Sequence, residues 1–344
     1  MPQAKTASAR PFDALNWVLD HAMIIIIILL AIGVGIKKPA FFSVPSLINI
    51  VSLMSARLPM ALGVAGCIIL AGTDLSGGRI AGLSAFISAI LLQSATTATR
   101  FLKGGAPLAV PLVILIAMAI GGVIGIVNGF CMGKFKLHPF IVTLATQLIT
   151  YGVYLTVSNS KQISSLDPSY TTSFVVKPLV EFTVGGAKTM IPMYVLLAVL
   201  LTALMWVVWN KTTFGKNMFA VGSNEEAARV SGVNVLFTIV LVFVVAGMMY
   251  GYTGFIEAAR IGTSSPSLGL SYENDAISAA VIGGVSFVGG TGKISGVILG
   301  VFMMQLIMTS MTFLGISGNV TFIIKGAVIL VACILDMRKY RAKK

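Results

Sequence analysis

Asp74 and Arg79 are the charged residues of AGTDLSGGRIAG, a polar stretch over residues 71–82 set between two apolar runs. They support two readings. One is a helix cap followed by a basic residue at the membrane edge. The other is a broken helix whose free N–H groups, with Asp74, line a solute pathway or its inner gate. Arg57 lies within an apolar run, two residues before Pro59. A charge there should face protein or water rather than lipid. It either anchors a structural carboxylate or lines an aqueous cavity. Pro59 should kink its helix and free carbonyls of the preceding turn. A third group is the polar face of PFIVTLATQLITYGVYLTV, with Thr143, Thr146, Gln147, Thr150 and Tyr151. Hydroxyls and amides on such a face bond neighbouring helices, and they also suit an uncharged, hydroxylated solute. Tyr151, Tyr154, Tyr250 and Tyr252 add ring faces on which the C–H side of a sugar can rest.

Bond-making chemistry is not expected. FVGGTGKI, residues 287–294, departs from the phosphate-loop pattern GxxxxGK[ST] at both ends, with Phe287 for the first glycine and Ile294 for the hydroxyl residue. The chain therefore should not hydrolyse ATP. No Ser/His/Asp or Cys/His arrangement stands out, and the apolar runs show no paired carboxylates. Cys67, Cys131 and Cys333 all fall in apolar runs, and His21 and His138 at their edges. No disulfide framework, metal or cofactor is expected.

The elements that must position these residues are membrane helices. The chain of 344 residues is 57% hydrophobic and 10% charged, where a soluble domain would be about a quarter charged. Apolar runs at residues 22–36, 47–70, 80–92, 107–131, 139–157, 190–209, 236–256, 276–288, 297–313 and 322–335 give about ten spans. The expected class is all-α integral membrane, one transmembrane domain over residues 1–344. A leader covers residues 1–21, a long external loop 158–189, and a basic tail 336–344. Basic residues concentrate on the segments that an inside N-terminus places inside, which puts both termini in the cytoplasm. The net charge of +13 then reflects topology and anionic lipid head groups, not nucleic acid. GTDLSGG at Gly72 and GTGKISG at Gly290 suggest an internal repeat, although two glycine-rich turns also look alike by chance.

Residues 211–235, KTTFGKNMFAVGSNEEAARVSGVNV, stand between two spans on the inner side. Glu225, Glu226, Ala227, Ala228 and Arg229 are good helix formers. Ser223 or Asn224 can cap the helix, the glutamates sit at its positive end, and Gly232 can stop it in a left-handed turn. The expectation is one short capped helix outside the membrane, either a solvated connection or a docking element for another protein.

Glu226-Ala227-Ala228, three residues, then Gly232 resembles the EAA loop of permeases in ATP-binding-cassette importers. AGTDLSGGR, HPFIVTLAT and AARIGTSSPSLGLSYENDAISAAVIGGVSFVGGTGKISGV extend the likeness in order from residue 47 to the C-terminus. Together they resemble the permease subunit of the galactose/methyl-galactoside importer, in the ribose/xylose/galactose branch. The resemblance implies a type II-like importer permease in a bacterial inner membrane, paired with a second copy of itself. It implies a cytoplasmic ABC ATPase and an external, periplasmic sugar-binding protein as partners. Galactose, methyl-galactoside or glucose would be the cargo, with ribose, xylose or a nucleoside as the alternative. Glu225 to Gly232 would be the coupling helix seated in the ATPase.

Overall fold

The computed structural model describes residues 22–98, 100–102, 106–184 and 187–341. The leader expected over residues 1–21 and the last three residues of the tail lie outside them. Among the described residues twelve α-helices follow in order: α1 Ala22–Lys37, α2 Val44–Ile69, α3 Gly77–Leu91, α4 Val110–Phe135, α5 Pro139–Ser158, α6 Met193–Lys211, α7 Thr213–Ser223, α8 Glu225–Val230, α9 Val235–Ile261, α10 Tyr272–Ile282, α11 Ile294–Phe313 and α12 Gly318–Arg341. A helix coincides with each of the ten expected apolar runs. Six of these helices (α2, α4, α5, α6, α9 and α11) are long and apolar enough to cross a membrane.

Helix ends follow local chemistry. The Ser43 hydroxyl accepts from the Ser46 amide at the start of α2, with Pro45 in the first turn. Asn234 Oδ1 accepts from the Phe237 amide at 3.0 Å to open α9. Pro139 opens α5, and Gly262, at φ +79°, closes α9.

α9 is the central helix. Its neighbours are α4, α3 and α2, and its own middle and end are buried. The glycines of GGVIGIVNG on α4 make this possible. A Cβ at Gly121 would run into the Gly247 carbonyl, and one at Gly247 into the Gly121 carbonyl. Two glycines thus let the α4 and α9 backbones touch, as small residues do between membrane helices.

Two helices are broken in the same manner. α2, 26 residues, gives way to residues 70–76 without helical structure and then to α3, 15 residues. α9, 27 residues, gives way to residues 262–271 and then to α10, 11 residues. At ~1.5 Å per residue, α3 and α10 reach only about 23 and 17 Å, well short of ~30 Å of hydrocarbon. The run at 276–288 is therefore not a spanning helix in its own right. The two breaks meet: a side chain at Gly78 would strike the Gly269 carbonyl and Glu273, and one at Gly82 the Leu268 carbonyl. The order long helix, break, short helix repeats from α2–α3 to α9–α10. The two similar glycine turns near Gly72 and Gly290 are not the corresponding parts of that repeat. They are neighbours, Gly289 lying against Ala71.

The long connection after α5 contains the one strand pair among the described residues. β1 Pro178–Val184 and β2 Ala187–Pro192 form an antiparallel pair, with Glu181 opposite Met190. Backbone bonds from Ile163 to Ser264 and from Asp167 to Leu92, both 2.8 Å, pin this connection to the ends of α9 and α3. Tyr170 is buried and donates its hydroxyl to the Phe255 carbonyl.

Candidate functional site

The polar stretch between α6 and α9 folds as two helices, not one. Thr212 opens α7, accepting from the Gly215 amide at 3.2 Å. Asn224 is extended, and its Oδ1 accepts from the Ala227 amide at 2.9 Å, which separates α7 from α8. Ser223 takes no part in that cap, since its hydroxyl bonds back to the Phe219 carbonyl at 2.8 Å. Gly232 ends α8 at φ +86°. The amides of Gly232 and Val233 bond the carbonyls of Arg229 and Ala228, each at 3.0 Å. This is the paired closure that a left-handed glycine permits. Arg229 holds Glu225 at 2.7 Å and Glu226 at 3.3 Å, and Lys136, from the end of α4, also pairs with Glu225. Ala228 is buried, Ala227 is exposed, and Val230 is 89% exposed. The helix thus rests on the body by one face and presents Glu226, Ala227 and Val230 outward.

The end of α7 is clamped by backbone. A Cβ at Gly222 would strike the Ile69 carbonyl and the Gly290 amide. Gly290 N–H already donates to that same carbonyl at 2.8 Å. Three segments therefore meet without intervening side chains: the end of α7, the end of α2 and the turn before α11. Just beyond Ile69, the break into α3 holds Asp74.

Asp74 is buried, 1% exposed, but it does not cap α3. Its Oδ1 accepts from the Ser76 amide at 2.9 Å and the Ser76 hydroxyl at 2.5 Å. Asn128 of α4 donates to the Ser76 hydroxyl at 3.0 Å, and Thr146 of α5 donates to Asn128 at 2.6 Å. Thr143 is fully buried and reaches the Thr73 carbonyl at 3.4 Å. Arg79 does not join Asp74. Its guanidinium lies 3.9 Å over the Tyr151 ring and bonds the Pro266 carbonyl at 3.3 Å. Gln147 is half-buried on the same helix as Thr143 and Tyr151. The break thus gathers Asp74, Thr143, Arg79 and Tyr151, in two separate sets of partners. The connecting residues Ser76 and Asn128 were missed in sequence. Asn128, inside the apolar GGVIGIVNG, was the available signal.

Arg57 pairs with carboxylates and also borders a cavity. Its Nε bonds Glu257 at 2.7 Å, and its Nη1 lies 3.8 Å from Asp275. Glu257, near the end of α9, is 0% exposed and is also held by Arg260 at 2.7 Å. Asp275, in the first turn of α10, takes Lys325 of α12 at 2.8 Å. Glu257 and Asp275 lie just outside the apolar runs 236–256 and 276–288, and the breaks bring both back to α2. Lys325, inside an apolar run, was the overlooked mark. The Arg57 guanidinium also lies 3.5 Å over the Tyr272 ring. Arg57, Tyr272, Asp275 and Lys325 line a cavity of about 210 Å³.

Residues 46–333 match the family described as "Branched-chain amino acid transport system / permease component". The chain belongs to that family. This permease is 43% identical over 328 residues to the galactose/methyl galactoside import permease protein MglC of Escherichia coli (strain K12), covering 93% of this chain and 94% of that one. It is 41% identical over 337 residues to MglC of Salmonella typhimurium, covering 96% and 97%. It is 30% identical over 339 residues to the ribose import permease protein RbsC of Escherichia coli (strain K12), covering 97% and 99%. No solved structure matches the permease. Its role is that of a non-catalytic transport subunit in a membrane.

Proposed function

We propose that this permease carries a monosaccharide of the galactose/methyl-galactoside class into the cytoplasm of a bacterium, driven by a separate ABC ATPase. The observation that carries the sugar class is the gap between relatives of nearly equal coverage, 43% identity to a galactose permease against 30% to a ribose permease. In this reading a second copy completes the pathway, and an external binding protein delivers the sugar. The ten apolar helices cross or enter the inner membrane with both termini inside. α8 is the coupling helix. Glu225, Glu226, Ala227, Arg229 and Gly232 shape the surface that seats in the ATPase, and buried Ala228 anchors it.

The clamp at Gly222 supports a route for the motion. Displacing α7 moves the Ile69 carbonyl, and with it the break that carries Asp74, Arg79 and their partners Thr143 and Tyr151. It also moves the turn leading into α11. A conformational change needs a partner that binds two states unequally, and nucleotide chemistry in the ATPase supplies that inequality.

Uptake of labelled galactose and ribose by a deletion strain, with and without this gene, tests the reading. Galactose uptake that returns with the gene supports it; return of ribose uptake alone moves the cargo to the ribose class. The charged cluster around Arg57 raises an ion-coupled carrier as a second reading. Its three cations, Arg57, Arg260 and Lys325, are each held by Glu257 or Asp275, which favours the ATP-driven route. Galactose uptake that persists in vesicles lacking the ATPase overturns that route.

A further inference from the structure

The cavity beside Arg57 lies between α2, α10, α11 and α12. Ion pairs that serve only to tie helices are packed over, because protein interiors leave few voids larger than a water. This cluster borders about 210 Å³ of open space instead. At ~30 Å³ per water the space suits one small polar molecule rather than a single solvent molecule.

The lining is mixed. Met60, Met304 and Met308 are apolar and adaptable to the C–H face of a ring. Asp275, Lys325 and Gln305 are polar. The cations are engaged: Arg57 by Glu257 at 2.7 Å, and Lys325 by Asp275 at 2.8 Å. A neutral ligand leaves these pairs intact and can use the polar groups they leave over. The Gln305 amide makes one long contact, 3.4 Å to Thr309. An apolar lining with a few polar groups is the usual form of a small-molecule site.

We propose that this cavity binds the neutral, polyhydroxylated solute within a single subunit, with Gln305, Asp275 and Lys325 as its polar contacts and the Arg57-covered Tyr272 ring as a wall. The assignment rests on the importer reading above. It places a sugar station inside each subunit, in addition to whatever space two copies enclose.

Gln305 is the discriminating residue, since it belongs to no ion pair of the cluster. The test uses the full complex of permease, ATPase and binding protein in liposomes, with radiolabelled galactose. The readout is galactose moved per ATP hydrolysed, for wild type, Gln305→Leu and the conservative Gln305→Asn. The proposal expects a fall of about tenfold for Gln305→Leu and a clearly smaller fall for Gln305→Asn. A cluster that only ties helices leaves both variants at the wild-type ratio, and that result overturns the proposal. A fall of equal size in both variants also overturns it, because it reports packing rather than hydrogen bonding. A wild-type complex that moves no galactose fails the importer reading itself, and the sugar station falls with it.

Discussion

Gly222→Ala adds a single methyl group at the point where three backbones meet. The new Cβ has no flexible side chain to push aside: its nearest neighbours are the Ile69 carbonyl, the carbon bearing it, and the Gly290 amide. Overpacking of this kind costs about 1–3 kcal/mol. The strain falls on the conformation in which the clamp is closed. As a bias on a two-state equilibrium it amounts to roughly 5- to 150-fold. Galactose uptake by the reconstituted complex should fall by at least about fivefold, read as initial rate at saturating binding protein. Gly152→Ala is the matched control. It lies on α5 with nothing within 4 Å of the added methyl, and alanine is the better helix former by about 1 kcal/mol. Uptake by that variant should equal wild type. The same loss should appear in Gly290→Ala, where φ is +68° and the Ser223 side chain stands in the way. Wild-type uptake in both Gly222→Ala and Gly290→Ala would refute the clamp as the route of motion.

Glu257→Gln should destabilise the permease, because Arg260 then loses its carboxylate and Arg57 keeps only the longer contact to Asp275, at 3.8 Å. Breaking such a pair costs about 3–5 kcal/mol, visible as a lower melting temperature in nanodiscs. Adding Arg57→Met should recover part of the loss, and strict additivity of the two changes contradicts the pairing. Asn128→Leu removes the donor to Ser76 and the acceptor for Thr146, leaving buried polar groups at about 1–3 kcal/mol each. Its melting temperature should fall further than that of Thr146→Val, and an unchanged value contradicts the buried chain. Asn224→Ala removes the cap of α8, about 1 kcal/mol. Hydrogen exchange at residues 225–230 should speed up while α9 stays protected.

The helices were legible because apolar runs of membrane length leave little choice of structure. α1 to α6, α9, α11 and α12 fall where those runs predict them, while α10, Tyr272–Ile282, covers only the first half of the run at 276–288. Gly232 was legible for a related reason, since a glycine after a short helix has few other uses. The failures share one cause. Asp74 was read either as a cap or as lining a pathway; the cap reading fails because its carboxylate, buried in the break, bonds Ser76 instead. Glu257 and Asp275 lie 18 residues apart with a polar connection between them. Only the fold-back of that connection puts both on Arg57. The split of the cytoplasmic segment into α7 and α8 turned on one side chain, Asn224, whose extended backbone is a tertiary outcome. Local pattern fixes elements, while the partners of a buried charge depend on which breaks meet.

The central claim is that this permease is a gate moved from the cytoplasm through α8. The direct measurement is galactose uptake and ATP hydrolysis by the same reconstituted complex carrying Glu226→Lys, whose side chain is 76% exposed and pairs only with Arg229 among the ion pairs of the described residues. The account predicts that the permease inserts and melts as wild type but that stimulation of ATP hydrolysis by sugar-loaded binding protein and sugar uptake both drop by tenfold or more, about 1.4 kcal/mol of lost coupling. Uptake at the wild-type rate, with α8 reversed in charge at its exposed glutamate, contradicts it.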